Sequence, residues 1–309
     1  MTERWHGELA GLQIQAGTAA AGKEAASREA SRRDGPTDSA SPASYRLAFK
    51  DGRIVELNDR IGAGVQIQFN GVVGCRHCGA QSHKSFGGGY CYECFSTLAR
   101  CDLCVVSPDR CHYALGTCRE PDWGESFCMQ PHKVYLANSS GIKVGITRSG
   151  REQGRWLDQG AIQGLAVLEA DTRRAAGLAE AAIARLLPDR TDWRKMLRAD
   201  VPLLDLPGIW ENTLGRLAAL PEGVSAVTPV AETDVVRMHY PLTATAPPAQ
   251  NLRLDDGPAV GNLKGMKGQY LLLADAAFNV RAHAGYLVEV AIGEPLPESS
   301  AGEQLGLFS

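Results

Sequence analysis

The chain has 309 residues, of which 44% are hydrophobic and 22% charged, with a net charge of −3 and nine cysteines. That length allows two or three modest domains and excludes a mini-protein held together only by disulfides. No apolar run approaches the roughly 20 residues of a membrane-spanning helix, and the first residues lack the basic start and apolar core of a secretory signal. The expectation is a soluble, cytoplasmic protein. All nine cysteines fall between Cys75 and Cys128, and a reducing compartment disfavours disulfides, so metal binding is the first explanation for them.

The small net charge conceals an asymmetry. Residues 133–200 carry twelve basic and eight acidic side chains, net +4, whereas residues 201–309 carry six and twelve, net −6. Any contact with a polyanion is therefore expected in the middle of the chain.

Residues 1–44 hold ten Ala, five Gly and five Ser with few large apolar side chains, which predicts a disordered tail carrying at most a marginal helix near Glu24–Arg33. A small β element over 45–74 follows: YRLAF, a KDG turn, RIVEL, then VQIQF, in which Val65, Ile67 and Phe69 alternate with glutamines. Residues 75–132 form the cysteine-rich segment. KVYLAN and IKVGIT around SSG predict a hairpin over 133–147. The Ala-rich stretch 171–187 predicts a helix capped by Asp171 or Thr172, with Ala179, Ile183, Leu186 and Leu187 on its apolar side. A further helix is expected over 209–220, and strands at SAVTPV, QYLLLAD, FNVRA and YLVEV make 201–309 a β-rich domain with a disordered end. The predicted class is α+β.

Cys75-x2-Cys78 and Cys91-x2-Cys94 are two knuckles twelve residues apart, the second running into a helix-compatible stretch, as in a zinc ribbon or treble clef. Paired knuckles place four thiolates around one tetrahedral ion. Zinc suits this arrangement better than an iron–sulfur cluster. Cys101 and Cys104 form a third knuckle, and a second zinc would be completed by Cys111 with Cys118 or by Cys128 with His132; spacing leaves both pairings open. His77 and His83 are expected to be exposed or to flank the first ion.

Residues 134–147, VYLANSSGIKVGIT, resemble the opening hairpin of the GIY-YIG endonuclease superfamily, in the branch whose second motif reads Lys-Val-Gly before Ile-Thr. The resemblance spans residues 133–198 and implies a GIY-YIG-like α/β domain over 133–200. It implies that Tyr135 assists water activation and Arg155 contacts phosphate, with Glu180 holding Mg²⁺ or Mn²⁺. Lys143 stands where the best-known members have tyrosine, and Gln159 where they have His or Tyr. A lysine can bind phosphate or act as a base; a glutamine cannot exchange protons near neutral pH. The full chain is also similar to an uncharacterised bacterial family that combines a zinc-binding segment with such a domain.

The expected function is thus a metal-dependent phosphodiesterase acting on DNA or RNA, with one or two structural zinc ions. A non-catalytic nucleic-acid-binding protein that retains the fold is the alternative, and a thiol redox or metal sensor is a third reading. The Gly-rich segment GNLKGMKG, with Lys264 and Lys267, matches neither a Walker nor a Rossmann loop and is read as a turn entering a buried strand.

Overall fold

The computed structural model describes residues 1–17, 41–187, 192–217, 227–231 and 234–297. It is a mixed α+β protein built on two sheets, and the order of strands within them departs from the order along the chain.

The larger sheet joins the two ends of the chain. From the N-terminal half come β1 (Glu3–Gln15), β2 (Ser44–Phe49), β3 (Ile54–Glu56), β4 (Gly64–Gly74) and the short β5 (Gln81–Ser82). The cysteine-rich segment adds helices α1 (Tyr92–Thr97) and α2 (Pro121–Phe127). The smaller sheet is made of β6 (His132–Asn138), β7 (Ile142–Arg148), β8 (Gln163–Ala170), β9 (Val227–Pro229) and β10 (Val236–Arg237). Around it lie α3 (Glu152–Asp158), α4 (Arg173–Ala184), α5 (Trp193–Met196) and α6 (Leu206–Arg216). The chain returns to the larger sheet with β11 (Gln250–Leu252), β12 (Ala259–Lys267), β13 (Tyr270–Leu273), β14 (Ala276–Asn279) and β15 (Tyr286–Gly293).

The described strands of the larger sheet run β11-β14-β13-β12-β4-β15-β1-β2-β3, and those of the smaller run β10-β8-β6-β7, with β9 also paired to β8. Three expectations about organisation are corrected by this pairing. Residues 3–15 are not a disordered tail: they form β1, which bridges β15 through its first half and β2 through its second, and which buries Leu9 and Leu12. Residues 45–74 are not a separate element, because β4 is sandwiched between β12 and β15 from the far end of the chain. The boundary near residue 200 also fails, since β9 and β10 pair with β8 in the middle unit. The suggested helix at 24–33 and the disordered end both lie outside the described residues, the latter beyond residue 297.

Other elements agree with the pattern in the sequence. Thr172 caps α4, its hydroxyl accepting from the Ala175 N–H at 3.2 Å, and Ala179 and Ile183 are buried on its inner side. Asp205 caps α6 in the same way, accepting from the Gly208 N–H at 3.1 Å. The hairpin β6–β7 forms with Tyr135 opposite Gly145 and Ala137 opposite Lys143. The Gly-rich segment departs from the expectation, being strand β12 itself, with a register shift between Leu263 and Gly265, rather than a turn before a strand; Lys267 is buried there, its ammonium donating to the Arg198 carbonyl at 3.0 Å. Burial holds this lysine's pKa down at about 8.

One core serves both sheets: Tyr135, Trp156 and Leu157 of the middle unit pack in the same cluster as Leu9, Ile67, Phe278 and Val288 of the larger sheet. A second core lies between β6–β8 and helices α4 and α6. No described helix is long and apolar enough to cross a membrane.

Candidate functional site: a cysteine centre and a cationic cleft

The first cysteine centre is shaped by its knuckles. After Cys75 the chain turns at Gly79, whose φ of +76° suits glycine, and the Gly79 N–H donates back to the Cys75 carbonyl at 3.0 Å. The second knuckle places Cys91 at the N-cap of α1, its sulfur accepting from the Cys94 N–H at 3.5 Å. As a result the sulfurs of Cys75, Cys78, Cys91 and Cys94 all lie within 4.8 Å of one another. Cys78 and Cys91 are 3.8 Å apart at Sγ. Tetrahedral zinc with bonds of about 2.3 Å requires sulfurs about 3.8 Å apart, the Cys78–Cys91 spacing, so these four residues could hold a zinc ion. Burial opposes ionisation of Cys75, but N–H groups of Cys78, Cys91 and His77 overcome it and hold this thiol down at about 6. His77 and His83 are exposed, and His83 Nδ1 contacts the Gly71 carbonyl at 2.9 Å.

The remaining cysteines divide. Cys101 packs against Cys75, Cys94 and Leu98, beside the first centre. Cys104, Cys111, Cys118 and Cys128 line a different, small cavity together with Asp102 and His112. His132 lines neither; it is fully buried at the start of β6 and belongs to the cleft described next.

That cleft has a volume of about 690 Å³, with Tyr135, Lys143, Arg155 and Glu180 all among its lining residues. They reach it from β6, β7, α3 and α4 respectively. Three further arginines of the middle unit, Arg148, Arg151 and Arg173, share it, and Arg281 enters from the far end of the chain. Against these six cations stand two carboxylates, Asp158 and Glu180. Asp158 faces Arg281 at 3.6 Å, so one cation is partly balanced.

The floor is aromatic. Tyr135 is 1% exposed, its ring meeting Trp156 edge-on at 5.9 Å between centroids. Two glycines make this close packing possible: a side chain at Gly145 would run into Tyr135, and one at Gly164 into Trp156. The Gln159 amide donates to the Tyr135 hydroxyl at 2.6 Å. Burial pushes the Tyr135 pKa up, against the opposing pull of Arg155 and Gln159, so the phenol is neutral at physiological pH. On one wall Phe127 is flanked by the guanidiniums of Arg148 and Arg173, at 5.0 and 6.0 Å from its ring centroid.

His132 was not anticipated as part of this cleft. Its Nδ1 lies 2.7 Å from the Gln130 carbonyl, which can only accept, so Nδ1 carries the ring proton. The bare Nε2 is buried without a hydrogen-bond partner. Burial, assisted by Arg173 and Arg148, holds this imidazole down at about 4, and it stays neutral. Sequence patterning marked the arginine run from Arg148 onward, but nothing local to Arg281 connects it with residues more than a hundred positions earlier.

No curated protein and no solved structure matches the chain. A match to a family does extend over residues 62–288, from just before β4 to β15, and so includes both cysteine clusters and most of the cleft. The chain belongs to that family, described as "Protein of unknown function (DUF2797)".

Proposed function

We propose that the protein is a metal-dependent nucleic-acid phosphodiesterase of the GIY-YIG-like type, carrying a structural zinc centre. The observation that carries this reading is convergence: Tyr135, Lys143, Arg155 and Glu180, spread over 46 residues of sequence, line one cleft with four more arginines. A phosphodiester backbone is the ligand such a surplus of positive charge suits best.

Hydrolysis needs a water oriented in line with the leaving oxygen and positive charge against the phosphorane. Tyr135, neutral and held by Gln159, supplies a fixed hydroxyl that orients this water. Arg155, exposed and lining the cleft, binds a non-bridging phosphate oxygen, with Lys143 of the same cleft as a second cation. Glu180, half-buried on α4, is the carboxylate that would hold Mg²⁺ or Mn²⁺. Such ions use one or two carboxylates together with water and phosphate oxygens, and when bound they neutralise charge on the leaving oxygen.

One feature favours the second reading, a non-catalytic nucleic-acid-binding protein. Gln159 occupies the hydrogen bond to Tyr135, and an amide cannot relay a proton. The two readings separate in one experiment: nicking of DNA and RNA with Mg²⁺ or Mn²⁺, using wild type and Glu180→Ala. Cleavage abolished in the variant is expected for the enzyme. Salt-sensitive binding without cleavage in wild type would refute catalysis and support the binder.

A further inference from the structure

The segment between α1 and β6 poses a physical question. It consists of short 3-10 turns at Leu103–Val105, Pro108–Arg110 and Tyr113–Leu115, followed by the two-turn helix α2. Leu103, Val106 and Leu115 are 54%, 78% and 78% exposed, so beyond buried Pro108 and the stacked Trp123–Phe127 pair its own apolar residues do little to hold it together. Yet four cysteines from separate turns line one small cavity. Cys104 lies in the first turn, Cys111 ends the second, Cys118 precedes α2 and Cys128 caps its C-terminus. They line a cavity of about 10 Å³, closed by Tyr113, Trp123 and Gly124. None is in a disulfide. At Gly124 a Cβ would stand 3.4 Å from the Cys118 sulfur and 3.0 Å from Tyr113, so the helix approaches the thiol closely there.

We propose that Cys104, Cys111, Cys118 and Cys128 are the four ligands of a second structural zinc ion. This selects among the pairings that spacing leaves open: Cys101 belongs beside the first centre and His132 to the cleft. Asp102 and His112 need separate consideration, because with Cys104 they bring ligand atoms within 4.8 Å of one another. Both are otherwise engaged. Asp102 takes the Arg119 Nε at 2.7 Å and faces His112 Nε2 at 3.5 Å, while His112 Nδ1 meets the Thr117 hydroxyl at 2.8 Å. They brace the loop, and the four sulfurs, which line one cavity but do not stand within 4.8 Å of one another as those of the first centre do, draw together to complete a closed tetrahedral site.

The position of this centre gives it a consequence for the cleft. The Arg173 N–H at the start of α4 donates to the Cys128 carbonyl at 2.8 Å, and the Arg173 guanidinium donates to the Val105 carbonyl. Gly177 lies directly against Pro108. Val105, Val106, Pro108 and Phe127 form part of the cleft wall, so the ion fixes the wall to the helix that carries Glu180. The proposal holds whether the cleft cleaves or only binds.

Elemental analysis of the purified full chain tests it directly. Two zinc ions per chain are expected in wild type, one in Cys104→Ser and Cys118→Ser, and two in Cys101→Ser, His112→Ala and His132→Ala. One zinc in wild type overturns the proposal, and loss of one in His112→Ala or Cys101→Ser overturns the ligand set. Should the serine variants fail to fold, cobalt titration of metal-stripped wild type decides. Two equivalents with tetrahedral thiolate absorption are expected, and saturation at one equivalent refutes the second centre.

Discussion

Replacing Gly145 by alanine probes the floor of the cleft. A Cβ at this position would lie 2.5 Å from the Tyr135 hydroxyl oxygen, 2.6 Å from Cζ and 3.0 Å from Cε2. Non-bonded atoms of this kind settle about 3.5 Å apart, so the ring must withdraw by about 1 Å. Its retreat is hindered: Tyr135 is 1% exposed, Trp156 blocks one side, and Trp156 is itself pressed against Gly164. Overpacking of this sort costs about 1–3 kcal/mol. At about 2–4 °C per kcal/mol for a large domain, the melting temperature should fall by roughly 2–12 °C in a calorimetric scan. The sign is informative, because Gly→Ala within a regular element otherwise stabilises by about 0.5–1 kcal/mol. Gly154→Ala supplies that control: it lies in α3, exposed, with no atom within 4 Å of the added methyl group. A double-mutant cycle sharpens the test. Tyr135→Leu should absorb most of the Gly145→Ala cost, whereas Tyr135→Phe should not, since Cζ stays in place. Equal melting temperatures for Gly145→Ala and wild type, or additive losses with Tyr135→Leu, would refute the packing argument.

Two other outcomes follow from the same cleft. His132 is held at about 4, against about 6.5 for an unburied imidazole, so its contribution to stability is complete above pH 6.5 and is lost as pH falls through 4. With about 1.4 kcal/mol per pKa unit, on the order of 3 kcal/mol is involved. Urea midpoints of wild type and His132→Gln from pH 7 to pH 4 should therefore converge as pH falls, and a pH-independent difference would count against a neutral buried imidazole. For nucleic-acid binding, six cleft cations set an upper bound of about −5 on the slope of log affinity against log salt with duplex DNA. Arg155→Ala should make the slope shallower by about 0.9 and weaken all sequences alike; an unchanged slope would remove Arg155 from the phosphate contacts.

How far these features were legible in the sequence depends on how local they are. Knuckle spacing pointed to the four-cysteine cluster of Cys75, Cys78, Cys91 and Cys94, because thiols within two short turns need little from the rest of the chain to meet. The helix over α4 was equally readable, from its cap and its apolar stripe. β1 was not, for an identifiable reason. Its buried residues Leu9 and Leu12 are three apart rather than two, because the pairing register shifts between Leu9 and Gly11, where Gly11 has a φ of +133°. A bulge removes the two-residue alternation by which a strand is recognised, and the Ala-Gly-rich surroundings then read as a tail. The same strand decides the architecture. By pairing β15 on one side and β2 on the other, β1 closes the ends of the chain into one sheet. It also delivers Ile14 to the cleft, beside Arg281 from the turn before β15. Composition located a net +4 in residues 133–200 and a net −6 in residues 201–309. It could not show that the acidic portion contributes a cation to the basic site, because that depends on a strand pairing across the whole chain. Physical coupling between the termini and the cleft is thus built into the fold, and removing β1 should affect a site whose four sequence-predicted residues all lie more than a hundred positions away.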